Sequence, residues 1–188
     1  MQGVYRVQLG SRELNETFVA APGPMGWRYF GRMHEPETGR EVFQADHVVD
    51  VDWNLIRFRW RESDGVEMTA IRTGGGVEVS IEEPGRQRTE FVAGVAAVWS
   101  ASPSSLLVVD RLLGMGKLAE VQAVRLGPGL EPLPVVVRVT PVRSRPVATS
   151  NGTSQAREVE VAVNGRSTRA LLRSDLPLRA DGWFELVG

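Results

Sequence analysis

Only one run of this chain carries a helical pattern, and most of the remainder alternates at strand length. Residues 93–116, AGVAAVWSASPSSLLVVDRLLGMG, form the longest nearly uncharged stretch and lie at the midpoint of the 188 residues. Within it Leu106, Val109 and Leu113 recur at helical spacing. Ser102-Pro103 offers a capping residue and a proline whose missing N–H costs nothing at a first helical position, and Gly114 is placed as a stop. The spacing predicts a short helix near residues 103–113, with a strand as the alternative because Val108 and Val109 are β-branched.

On both sides the pattern is β. Residues 4–9 and 14–20 alternate around Gly10-Ser11, residues 27–34 alternate again, and Glu35-Pro36-Glu37-Thr38-Gly39 is a turn. The segment 41–60 is too long for one strand and is expected to divide near Asp50 or Asn54. In IRFRWR, residues 56–61, period two puts Ile56, Phe58 and Trp60 on one face and Arg57, Arg59 and Arg61 on the other. Ser63-Asp64-Gly65, Gly74-Gly75-Gly76 and Glu83-Pro84-Gly85 then punctuate a meander. Beyond the central run, residues 119–126 and the β-branched 135–142 read as strands, the latter suited to burial on both faces. Residues 143–152 look like a polar connection interrupted by Pro146 and ended by Asn151-Gly152. Asn164-Gly165 is a type I′ hairpin signal. The stretches 56–76 and 157–177 share a strand–turn–strand pattern, as an internal duplication would. The expected architecture is mainly β: a long curved antiparallel meander, rolled or sandwich-like, with one short central helix. It is expected to be a single domain spanning 1–188, with two β-rich halves (1–92 and 118–188) around the segment 93–117.

Composition narrows the chemistry. The chain has no cysteine, which removes disulfides, thiolate nucleophiles and Cys-based metal sites. Net charge is −1, so nothing draws the whole chain to nucleic acid or anionic surfaces. Lys117 is the only lysine among 22 basic residues, leaving 21 arginines. No secretion signal or membrane-spanning run is visible, and the expectation is a soluble cytoplasmic protein.

Candidate reactive groups are few. His34 and His47 are the only histidines. A metal site with Asp46, Asp50 or Asp52 would need a clustered third ligand that no motif supplies, so no metal or cofactor is expected. Asp50 and Asp52 are better read as partners of Arg57, Arg59 or Arg61 than as a catalytic carboxylate pair. No Gly-x-Ser-x-Gly elbow is present, and Ser102, Ser104 and Ser105 read as helix-capping and first-turn residues, so no catalytic residue is assigned. The five tryptophans, Trp27, Trp53, Trp60, Trp99 and Trp183, fit either a core or the lining of a cavity in a curved sheet.

The segments YRVQLGSRELNETFVA (5–20), SPSSLLVVDRLLG (102–114) and LPLRADGWFELVG (176–188) together resemble a bacterial family described as glycolipid-binding. Its members have a Thr-Pro-rich central segment leading into an apolar–Arg–apolar element, and Pro103, Arg111 and Leu113 sit at comparable positions. Leu106, Leu107 and Val109 replace the family's polar and second-proline positions, and the cysteine some members hold before this segment is missing. The resemblance implies a duplicated antiparallel sheet wound into a spiral β-roll.

The leading expectation is non-enzymatic binding of an apolar or amphipathic, lipid-like or glycolipid-like ligand in the concavity of the sheet. Trp27, Trp53, Phe58, Trp60, Trp99 and Trp183 are the candidate ligand-binding residues. The alternative is a structural or protein-interaction module with a solid core, using Arg57, Arg59 and Arg61 or pairing through a sheet edge as a dimer; a hydrolase-type enzyme ranks third.

Overall fold

The computed structural model describes residues 1–114, 119–129, 131–149 and 152–187. The last residues of the central run, 115–117, and Asn151 of the expected 151–152 turn lie outside the described residues. The strands are β1 (Gln2–Leu9), β2 (Arg12–Gly23), β3 (Gly26–His34), β4 (Glu41–Val49), β5 (Leu55–Glu62), β6 (Glu67–Thr73), β7 (Gly76–Glu83), β8 (Arg86–Ala93) and β9 (Ala97–Trp99). After the helix α1 (Ser104–Leu112) come β10 (Val121–Arg125), β11 (Leu133–Thr149), β12 (Gly152–Val163), β13 (Arg166–Arg173), β14 (Pro177–Ala180) and β15 (Phe184–Leu186).

All fifteen described strands belong to one sheet, ordered β8-β7-β6-β5-β4-β3-β2-β1-β15-β14-β13-β12-β11-β10-β9. Sequence neighbours pair antiparallel, as turn-linked strands do. The exceptions are β8 and β9, which do not pair and lie at opposite ends of the order, and β9 with β10, which are parallel and joined through α1. The two chain ends meet in the middle of the sheet, with Tyr5 opposite Leu186 and Val7 opposite Phe184. The two similar hairpins, β5–β6 and β12–β13, lie in opposite arms.

Alternation explains the interior. Leu14, Glu16, Phe18 and Ala20 on β2, and Tyr29, Gly31 and Met33 on β3, are buried, while the alternate residues Asn15, Thr17, Val19, Phe30 and Arg32 are exposed or half-buried. Two apolar clusters result. One holds Tyr5, Phe18, Trp27, Tyr29, Val137, Val159, Leu172 and Phe184 with Leu106–Val109 of α1. The other holds Leu14, Met33, Phe43, Phe58, Trp60, Met68 and Val79. At the far end of the sheet, β9 and β10 are covered on both faces. Ala97 and Ala123 belong to the first cluster, whereas Val98 and Val124, their immediate neighbours, belong to the second. The sheet's last strands are thus tucked inside the curl of the others, a spiral. The concavity is filled by α1, whose residues Ser104 to Asp110 are all buried, as expected for a helix apolar around most of its circumference.

Some sequence expectations need correction. Ile56 is 44% exposed and Leu55 takes the inward position. A register shift, with Val48 opposite Arg57 but Val49 opposite Leu55, leaves Ile56 as the extra residue. The run 135–142 is not buried on both faces: Val135, Val137 and Val139 point inward, and Arg138 and Thr140 outward. Nor is 143–152 a simple connection, because β11 continues through Pro141 and Pro146 to Thr149. Only Leu133–Val137 pairs with β10, so from Arg138 onward β11 is an edge strand on that side, where prolines are tolerated. The predicted turn at Asn164-Gly165 is found, with φ of 48° and 80°.

Candidate functional site

The mouth of the first cluster is an open groove of about 360 Å³. Alternation builds it. Trp99 shares a face of β9 with Ala97, Arg125 a face of β10 with Ala123, and Val163 a face of β12 with Val161. Each strand therefore carries its inward row past the packed interior to the rim. Leu9, Trp99, Leu126, Val161, Val163 and Trp183 line the apolar part, and Arg125, Arg166, Ser167, Thr168 and Asp181 the polar part. Trp99 and Trp183 meet with ring centroids 4.9 Å apart, and neither is fully buried. Trp183 is fixed by its Nε1–H, which donates to the Ala101 carbonyl at 2.7 Å, and by its own carbonyl, which accepts from the Gln8 N–H at 2.6 Å. Gly182, with φ of 69°, makes the turn that presents it.

The other tryptophans are elsewhere. Trp27 is 8% exposed and packs on Trp53 at 5.4 Å, and the Arg111 guanidinium lies 5.3 Å from the Trp53 ring. Phe58 and Trp60 are fully buried in the second cluster, against His47 and Phe43 respectively. The structure thus brings together Trp99 with Trp183 and Trp27 with Trp53. The arginine face is neutralised locally. Arg57 and Arg28 share Asp46, with the closest contacts at 2.6 and 2.8 Å, and Arg59 and Arg61 share Glu67 at 2.6 and 2.8 Å. The expected pairing with Asp50 and Asp52 is not made. Asp50 instead accepts the backbone N–H groups of Asp52 and Asn54, both at 2.9 Å, and so closes its own turn.

Between the two clusters runs a buried polar seam that sequence reasoning missed. Oε1 of Glu16 accepts hydrogen bonds from the Tyr29 hydroxyl and from Ser102 Oγ, both at 2.9 Å. Ser102 Oγ lies 3.1 Å from Ser104 Oγ, and Ser104 Oγ lies 3.3 Å from Nδ1 of His47. Ser100 and Ser105 pair through their hydroxyls at 2.8 Å. Glu16, His47, Ser102 and Ser105 have no exposed surface. Ser104 and Ser105 open the first turn of α1, as expected, but Ser102 does not cap the helix, which has no side-chain cap; the three hydroxyls are taken by Glu16, His47 and Ser100. Burial pushes the Glu16 carboxyl up to about 7 against the lowering effect of its two hydrogen bonds. Burial also pushes His47 down to about 3, so its ring is neutral. Oε2 of Glu16 and Nε2 of His47 lack hydrogen-bond partners among the described residues.

The signal for this seam was an acid in the inward row of β2 (Leu14, Glu16, Phe18) and a glycine in that of β3 (Tyr29, Gly31, Met33). Chemically the seam joins a carboxyl, a phenol, two hydroxyls and an imidazole in one chain, and it pins the entry to α1 against β2, β3 and β4. His34, the second histidine, is on the surface, 3.3 Å from the Gly39 carbonyl. Among the described residues no group of three or more His, Cys, Asp or Glu side chains is arranged to hold a metal ion. Likewise no helix among them is long and apolar enough to cross a membrane. Comparison with protein-family models, with curated proteins and with solved structures finds no match.

Proposed function

We propose that this protein is a non-enzymatic binder of an apolar or amphipathic, lipid-like small molecule, held at the mouth of the rolled sheet. The observation that carries this reading is the Trp99–Trp183 pair, incompletely buried and continuous with the apolar core, beneath a polar rim. Small-molecule sites of this kind combine an apolar lining with a few orienting polar groups. Two further features support it. Helix α1 occupies the deeper concavity, and the mouth beside it keeps accessible apolar surface. The Arg57–Arg59–Arg61 face is tied up by Asp46 and Glu67, which weakens the case for a protein-docking module there. The sequence resemblance to glycolipid-binding proteins points the same way.

The test uses an uncharged probe, N-phenyl-1-naphthylamine, together with mass spectrometry of an organic extract of the purified protein. Saturable probe binding that weakens about tenfold or more in Trp99→Ala and Trp183→Ala is expected, because loss of a buried aromatic contact exceeds ~1.4 kcal/mol. No saturable binding, together with an extract free of lipid-like molecules, would overturn the proposal.

A further inference from the structure

The groove has two arginines at its rim, and their state points to the chemistry of the ligand. Arg125 reaches it from the end of β10 and Arg166 from the start of β13. Most arginines of the described chain are engaged, for example Arg138 with Glu120, Arg143 and Arg169 with Glu158, and Arg173 with Asp175. Arg125 and Arg166 make no side-chain hydrogen bond or ion pair among the described residues, and Nε of Arg125 is buried without a partner. The Nε–H of Arg125 is withdrawn from water and calls for an acceptor, preferably a charged one, while Arg166 stands exposed at the rim. Among the described residues one acid lines the groove, Asp181. It faces Arg179 at 3.8 Å, and its backbone carbonyl accepts from Thr168 Oγ1 at 2.6 Å. The rim therefore carries a net positive charge beside a tryptophan-lined floor.

We infer that the ligand is an anionic amphiphile whose carboxylate or phosphate head is held by Arg125 and Arg166 while its apolar part lies on Trp99 and Trp183. This deepens the proposed function and rests on the groove being the binding site. Both arginines present planar donor sets suited to oxyanions, and two cations at the rim would hold the head there with the tail inward. An uncharged sugar head would leave both charges unanswered.

The experiment is calorimetric titration, below micelle-forming concentrations, with four ligands of one tail length: decanoate, decyl phosphate, decyl maltoside and decyltrimethylammonium. The two anionic ligands should bind at least about tenfold more tightly than the maltoside, since a charge-assisted hydrogen bond exceeds a neutral one by that order. The cationic ligand should bind most weakly. The preference should shrink with added salt. Arg125→Gln and Arg166→Gln should each weaken anionic binding about tenfold, and by clearly more than they change decyl maltoside binding. The tighter of decanoate and decyl phosphate distinguishes a fatty-acid-like from a phospholipid-like source. Equal binding of the anionic ligands and the maltoside, or arginine variants with undiminished anionic affinity, would overturn the charge assignment while leaving the groove as a site. Failure of all four ligands and of the uncharged probe would remove the groove itself.

Discussion

A methyl group placed on Gly31 would lie 2.1 Å from Oε1 of Glu16, closer than any real Cβ contact. The missing side chain on β3 is what admits a carboxyl from β2 into the interior, where Tyr29 and Ser102 receive it. Gly31→Ala therefore has to displace Glu16 from both partners. The expected loss is about 2–3 kcal/mol, the upper part of the range for overpacking a filled core. Combining it with Glu16→Ala removes the clash with the carboxyl and leaves only the 3.0 Å approach to Tyr29 Cε1, so the double variant should be more stable than the sum of single losses predicts by at least about 1 kcal/mol. Denaturant unfolding of the four proteins measures this, and additive losses would show that the two residues do not compete for space.

The pH dependence of stability follows from Glu16 and His47, which pull in opposite directions. The Glu16 carboxyl is raised from its ordinary 4.5 to about 7 in the fold. Between these values the unfolded chain releases a proton that the folded protein keeps, so stability falls as pH rises, by roughly 3 kcal/mol over the window. His47 is lowered from 6.5 to about 3. Between those values the unfolded chain takes up a proton that the folded protein refuses, so stability falls as pH drops. The two effects offset one another between about 4.5 and 6.5, where the wild-type contribution should be nearly flat. Glu62, half-buried and also raised, adds weakly in the sense of Glu16. Lowered carboxyls such as Glu35 and Glu158 act below the window. Glu16→Gln should make stability rise with pH between 4.5 and 6.5, and His47→Phe should make it fall. Unfolding titrations at several pH values check both signs. Parallel profiles for the two variants would refute the assignment.

How much of this was legible beforehand can be traced residue by residue. Most of the strands, the Asn164-Gly165 turn and a helix after Pro103 follow from local rules, and they are found; β9 and the second half of β11 do not. Trp99 and Trp183 could be named but not paired, because they are 84 positions apart and meet only through the β1–β15 closure and the inward tuck of β9. Ser102 was assigned to capping because N-cap chemistry is local. Its hydroxyl goes instead to Glu16, 86 residues away, a contact no periodicity encodes. Ile56 was misplaced by a one-residue register shift, and Pro146 looked like a breaker because an edge strand cannot be recognised without its neighbours. Local patterns reached the elements and their faces. Contacts made by rolling the sheet stayed out of reach.

Trp183 tests the wall of the groove apart from its apolar surface. Its Nε1–H holds the Ala101 carbonyl at 2.7 Å, just ahead of α1. Trp183→Phe keeps an aromatic ring against Trp99 but removes that donor. A stability loss of about 1 kcal/mol is expected, the usual net value of one hydrogen bond. Binding of the uncharged probe should be reduced less than in Trp183→Ala. Thermal unfolding and probe titration report the two effects separately. Equal binding losses in the two variants would mean that the hydrogen bond, and not the ring surface, shapes the site.

The far end of α1 is held by a charge pair that can be broken from one side. Asp110 is 2% exposed, and Nη2 of Arg157, on β12, donates to its Oδ2 at 2.5 Å. Removing the arginine leaves a carboxylate sealed against apolar neighbours, and such one-sided breaks cost about 3–5 kcal/mol, whereas replacing both partners by apolar residues of similar size is often close to neutral. Arg157→Met should therefore destabilise the fold by about 3 kcal/mol or more, while Arg157→Met combined with Asp110→Leu should recover most of that loss. Because α1 fills the concavity, loosening it should also broaden the Trp99 and Trp183 emission toward longer wavelength before global unfolding. Denaturant unfolding followed by both tryptophan fluorescence and far-ultraviolet circular dichroism decides the matter. A double variant no more stable than Arg157→Met alone would show that the pair is needed for more than mutual neutralisation.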